Sequence, residues 1–207
     1  MATSDWPDRI LFSNDKLVDP AQPDVMLNAC VGPQMPRGQG AWTYYTEGFH
    51  LAARTLADQL VSQPRHEFPV DVIVYPVFYL YRHHFELLLK SIIWRSEGLL
   101  GRPQSELHGH KLIRLWQEAR RAMEAALNDA DWSQNPEAER LIIEMDALDP
   151  DGQRGRYPWS RDGSRSFGTT SLINVRHFAD VADRLSHYLQ QVDDGLQIYL
   201  DQLQSYA

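Results

Sequence analysis

The chain has 207 residues, 43% of them hydrophobic and 23% charged, with a formal net charge of −8. That length fits one domain with an appendage, and the apolar content excludes global disorder. The acidic balance excludes a uniformly basic nucleic-acid-coating protein, and a single cysteine, Cys30, excludes a disulfide framework or a cysteine-built zinc site.

No apolar run approaches the ~18 residues that span a bilayer, and MATSDWPDRI has no leader-like apolar core. A cytoplasmic chain that does not engage membranes is expected. Residues 1–40 read as an extended N-terminal arm, because Pro7, Pro20, Pro23, Pro33 and Pro36 interrupt any helix. Its apolar punctuation (Trp6, Ile10, Leu11, Phe12) is that of an arm packing on its own bundle or on a partner.

A helical domain is expected over residues 41–207. Tyr45, Phe49, Ala52, Ala53, Leu56 and Leu60 recur at helical spacing from Ala41 to Gln63, where Pro64 stops the pattern. The second helix, about residues 71–98, is the most apolar and should be central, with Asp71 as a cap. Pro76 places its true start nearer Tyr75. A basic amphipathic helix follows over His110–Leu127, then a shorter one over Glu137–Leu148. Residues 149–170 have the Gly, Pro, Asp and Ser content of a long ordered loop. The last helix runs from Ser171 or Leu172 almost to the end. The class is all-α: an up-and-down bundle of four to five helices with a long C-terminal helix.

The central helix carries one polar stripe. With Arg82 at zero and about 100° per residue, Tyr75, Tyr79, His83, Glu86 and Lys90 all fall between about 20° and about 100°. Arg82–Glu86 and Glu86–Lys90 are i,i+4 pairs. Unpaired charges on so apolar a helix are too costly to bury. The stripe is therefore a solvated face or internal ion network, or else a cleft for phosphate or nucleotide in which Arg grips phosphate and His moves protons. His84 points to the other side and reads as a packing or helix-surface residue.

His108 and His110 flank Gly109 and read as helix-start or surface residues, with metal binding as the sharper alternative. The 149–170 loop interleaves Arg154, Arg156, Arg161 and Arg165 with Tyr157 and Trp159. Such a loop either pins the bundle or stacks bases and contacts phosphate. Phosphate-binding glycine loops, HExxH and GxSxG are absent from the sequence.

YPVFYLYRHHFELLLKSII, then HKLIRLW, then GRYPWSRDG and a long closing helix resemble the HEPN superfamily of small helical bundles, over roughly residues 40–205. The resemblance implies a bundle that commonly forms a homodimer. It also implies metal-independent RNA cleavage in toxin–antitoxin or phage-defence systems, or a non-catalytic dimerisation and interaction module. Ribonuclease members of that superfamily carry an arginine, four to six residues and then a histidine, usually with a polar residue right after the arginine. Here only Arg102 and His108 have that spacing, and there Pro103 follows the arginine and the pair falls in a loop. An unconventional site is the remaining expectation: Arg82, His83 and Glu86 catalytic, with Lys90, Arg156 and Tyr157 binding substrate. His83 would assist attack by a 2′-hydroxyl while Arg82 holds the phosphate. The expected partners are RNA or a nucleotide, a second copy, or a partner protein; no cofactor or metal is expected.

Overall fold

The computed structural model describes residue 29 and residues 39–62, 70–104, 109–160, 162–170 and 172–205. Pro36–Ala207 form one compact unit. It contains α1 (Gln39–Ser62), α2 (Val70–Leu99), α3 (Leu112–Ala126), α4 (Asn135–Leu148) and α5 (Val175–Ser205). The protein is an all-α bundle with a long C-terminal helix of 31 residues. The readings for the arm, Cys30, His108 and Arg161 lie outside the described residues; Gln39 and Gly40, assigned to the arm, open α1.

Two boundaries differ from expectation for local reasons. α2 begins at Val70 rather than near Tyr75, and Pro76 lies inside it. Proline there removes only the hydrogen bond to the Val72 carbonyl, and Val72 is exposed, so the vacated carbonyl stays at the wet end of the helix. α5 begins at Val175 rather than at Ser171 or Leu172, because Asn174 caps it: its Oδ1 accepts the His177 backbone N–H at 3.0 Å.

α2 is the centre of the bundle, with α1, α3 and α5 packed against it. Phe78, Tyr81, Phe85, Leu88, Leu89, Ile92 and Ile93 are almost wholly buried. Each such side chain stabilises the fold by about 1.5–3 kcal/mol through apolar burial. α5 runs parallel to α2 along a polar seam. Tyr81 donates to Asp183, His84 meets Ser186, and Ser91 donates to Asp193, each pair 102 residues apart. Residues 84 and 91 on one helix, and 186 and 193 on the other, repeat after seven, the spacing that keeps two helices face to face.

His84 belongs to this packing. Its Nδ1 donates to the Thr46 carbonyl at 2.9 Å, which leaves Nε2 to accept from Ser186 at 2.8 Å. Burial, with help from His50, pushes its pKa down to about 4, so the ring is neutral at physiological pH.

After α2 the chain turns back along that helix, placing His110 beside Arg82 and Glu86. The 149–170 segment holds a short hairpin-like turn, with Trp159 bridged to Arg165 and Asp162 accepting from the Ser164 backbone and hydroxyl. Phe167 anchors its far end with positive φ (65°), its ring 4.9 Å from that of Phe78. Burial of the ring against α2 outweighs the cost of the left-handed backbone.

Candidate functional site

The charged part of the stripe on α2, Arg82, Glu86 and Lys90, is closed over, and its charges pair among themselves. Arg82 and Glu86 are 1% and 3% exposed. Arg82 Nη1 donates to Glu86 Oε2 at 2.9 Å, and Lys90 Nζ donates to Glu86 Oε1 at 2.9 Å. Both i,i+4 pairs read from the sequence are therefore present. Arg82 also donates from Nε to the Asp149 carbonyl at 3.1 Å and from Nη2 to the His110 carbonyl. Its guanidinium thus ties together α2, the segment entering α3 and the end of α4. The Asp149 carboxylate is wholly buried; its Oδ2 lies 3.3 Å from Arg82 Nε and its Oδ1 accepts the backbone N–H groups of Gln153 and Arg154.

Glycine lets the loop come this close. Gly152 has φ of +71°, and a Cβ there would lie 3.1 Å from Arg82 Nη1. A Cβ at Gly155 would lie 2.9 Å from the Tyr79 Cβ. The loop backbone rests directly on the stripe, an approach that side chains would block.

Burial alone would raise the Glu86 pKa. Lys90, His110 and Arg82 outweigh it and hold the carboxylate down at about 2. Glu86 is thus a fixed anion that accepts from Arg82, Lys90 and His110.

His110 is the member of this network that faces solvent, with 67% of its side chain exposed. Its Nδ1 donates to Glu86 Oε1 at 2.8 Å, so Nε2 points away from the carboxylate. The side chain is held by Glu86 and the backbone by Arg82. A buried carboxylate that fixes the tautomer of an exposed imidazole equips it to exchange protons at its outer nitrogen. Sequence reasoning set His110 aside as a surface or helix-start residue. The signal that could have raised it was the adjacent Gly109, whose φ of 95° lets the returning chain turn into the network.

His83 sits above the same network and is half-buried. Phe49 meets its ring edge-on at 4.4 Å and Tyr79 stacks on it at 5.7 Å. Its ring nitrogens have no hydrogen-bond partner among the described residues. Burial lowers its pKa, against a rise from Glu86 and with further lowering from Arg82, Lys90 and Arg156. Beside it, the exposed Arg156 lies over Tyr79 at 5.4 Å and over Tyr157 at 5.7 Å, its Nε donating to the Gly152 carbonyl. Arg165 lies over Trp159 at 5.9 Å. Neither arginine has a carboxylate partner among the described residues.

The six sequence-named residues therefore divide. Arg82, Glu86 and Lys90 form the buried floor, while His83, Arg156 and Tyr157 form a stacked rim with Tyr79. Arg82 joins the two layers, since it holds both the His110 segment and the turn that carries Arg156. Among the described residues no three His, Cys, Asp or Glu side chains converge as a metal site, and no helix is long and apolar enough to cross a membrane. Comparison with protein families, with curated proteins and with solved structures finds no match to this chain.

Proposed function

We propose that this protein is a HEPN-like, metal-independent RNA- or nucleotide-acting component of a toxin–antitoxin or phage-defence system. The observation that supports this most directly is the His110 imidazole oriented by Glu86, together with an exposed Arg–aromatic rim on the turn after Asp149, Arg82 bonding the carbonyls of both His110 and Asp149. Stacked Tyr79, Arg156 and Tyr157 offer π faces to bases and an unpaired cation to phosphate. In this reading Arg82 and Glu86 position rather than touch substrate.

On RNA the two histidines would divide the proton work. One neutral imidazole takes the 2′-hydroxyl proton as O2′ bonds to phosphorus. The other, protonated, supplies a proton to the 5′-oxygen as the phosphorus–O5′ bond breaks, leaving a cyclic phosphate and a 5′-hydroxyl. Arg156 would hold the phosphate charge as it develops. The reading takes the chain as a homodimer, and exposed Ile198, Tyr199 and Leu203 on the last turns of α5 suit a second copy.

The test uses a 5′-labelled single-stranded oligoribonucleotide in EDTA. Arg156→Ala/Tyr157→Ala should weaken binding at least about fivefold, the lower end of what one stacked base contributes. His110→Gln should abolish cleavage and leave binding intact. Absence of binding to RNA and to mononucleotides, or binding indifferent to the double substitution, overturns the proposal. The inward pairing of Arg82 and Glu86 favours a second reading, the non-catalytic interaction module, in which RNA binds without being cut or does not bind.

A further inference from the structure

A second feature lies away from the histidines. α4 packs on α3 and α5 packs on α2. Between α4 and the N-terminal half of α5 an open groove of about 760 Å³ remains. Tyr188 closes one end by donating to Asn135 Oδ1 at 2.7 Å, and Leu172, 90% exposed, stands at the other. A leucine so exposed beside an apolar floor marks surface that water covers poorly.

The floor carries small residues. Ala138 and Ala182, both nearly buried, line it from α4 and α5, together with Phe85 of α2. Small residues let another backbone approach, since the distance between packed helices is set by the side chains at the contact. The groove follows α4 for its whole length, which is about 21 Å or four helical turns for its 14 residues.

The two walls differ in charge. Glu137 and Glu144 rise from α4, with Arg140 between them already 3.6 Å from Glu144. His177 and Arg184 rise from α5, seven residues apart and so on one face. Neither has a carboxylate partner among the described residues. With Arg140 and Glu144 paired, Glu137 leaves one wall net acidic, and Arg184 with His177 makes the other basic, above an apolar floor.

We propose that this groove docks an amphipathic helix of a partner protein, about four turns long, whose apolar stripe is flanked by carboxylates on one side and by basic side chains on the other. The carboxylate flank meets Arg184 and His177, and the basic flank meets Glu137. This is the helix-in-groove mode of recognition, with charge complementarity fixing which way the helix lies. It stands independently of any chemistry at His110.

The test titrates the full chain against three fluorescent 18-residue helical peptides with one shared leucine stripe. Their flanks are glutamate on one side and lysine on the other, glutamate on both, or lysine on both. The mixed peptide should bind at least tenfold tighter than either uniform one. His177→Glu/Arg184→Glu makes both walls acidic and should turn the order over in favour of the all-lysine peptide. Both positions are exposed, and an unchanged melting curve confirms the variant's fold. No binding by any peptide, or an order that the double variant does not alter, overturns the proposal. So does a concentration-dependent dimer of the chain that competes with the mixed peptide, which would make a second copy the occupant. Equal affinity for all three peptides would make the groove a general apolar site and overturns it as well.

Discussion

Arg82→Met isolates the role of the buried network, because methionine fills similar space without donors. The substitution deletes the hydrogen bonds to the carbonyls of Asp149 and His110 and the pair with Glu86. A buried acceptor left without a partner costs about 1–3 kcal/mol, and breaking one member out of a buried ion pair costs about 3–5 kcal/mol. Glu86 keeps Lys90 and His110, but the buried Asp149 carboxylate loses the cation beside its Oδ2, so the loss falls in the middle of that range, about 4 kcal/mol. For a chain of this size that is a drop in melting temperature of roughly 10 °C. Urea unfolding at pH 7 measures it. Glu86→Leu strands Lys90 and leaves Arg82 only Asp149 as a counter-anion, and should cost a similar amount. The double variant Arg82→Met/Glu86→Leu should cost less than the two singles together by at least about 1 kcal/mol, because the two residues share one interaction. If both single variants lose under about 1 kcal/mol and their effects add, Arg82 is not holding the fold. A loss of RNA processing with the stability intact would then return Arg82 to direct contact with substrate.

Acid should destabilise the protein in two overlapping stages. The depressed pKa of His84, about 4, makes neutral His84 a source of stability that is present above pH 6.5 and lost as pH falls towards 4. Glu86, held at about 2, contributes stability that is present above pH 4.5 and lost as pH falls towards 2. Each stage removes up to about 3 kcal/mol, read from urea midpoints against pH, and Glu86→Gln should flatten the lower stage alone. Gly152→Ala must place a side chain at φ of +71° and against Arg82, so it should cost more than about 1 kcal/mol in thermal unfolding; a neutral result would mean that the loop does not rest on the guanidinium. His110→Gln, at an exposed site, should cost under about 1 kcal/mol in the same experiment. If single-stranded RNA lies on the rim, Arg156→Ala and Arg165→Ala should each lower the slope of log affinity against log salt by about 0.7, and an unchanged slope removes that arginine from the interface.

Helical periodicity carried most of the bundle, because apolar stripes bury where they repeat. It also carried the stripe itself: Arg82, Glu86 and Lys90 lie together, paired as their spacing required. Contacts between distant segments were not legible. His110 reaches Glu86 across 24 residues and Asp149 reaches Arg82 across 67, and neither separation has a period. A physical constraint narrows the search nonetheless. A helix packed by α1, α3 and α5 cannot leave its charges to solvent, so the stripe must be neutralised from within the chain. Arg82 and Lys90 stand against Glu86, one positive charge in excess, and the missing anion has to lie in a segment flexible enough to close over α2. Asp149 is that anion, wholly buried at the end of α4 and followed by the glycines that permit the approach. Two cations then face two carboxylates, and the balance closes without His110. The histidine is bound to the network by geometry while its charge is not needed there, which is the condition an exposed acid–base group requires.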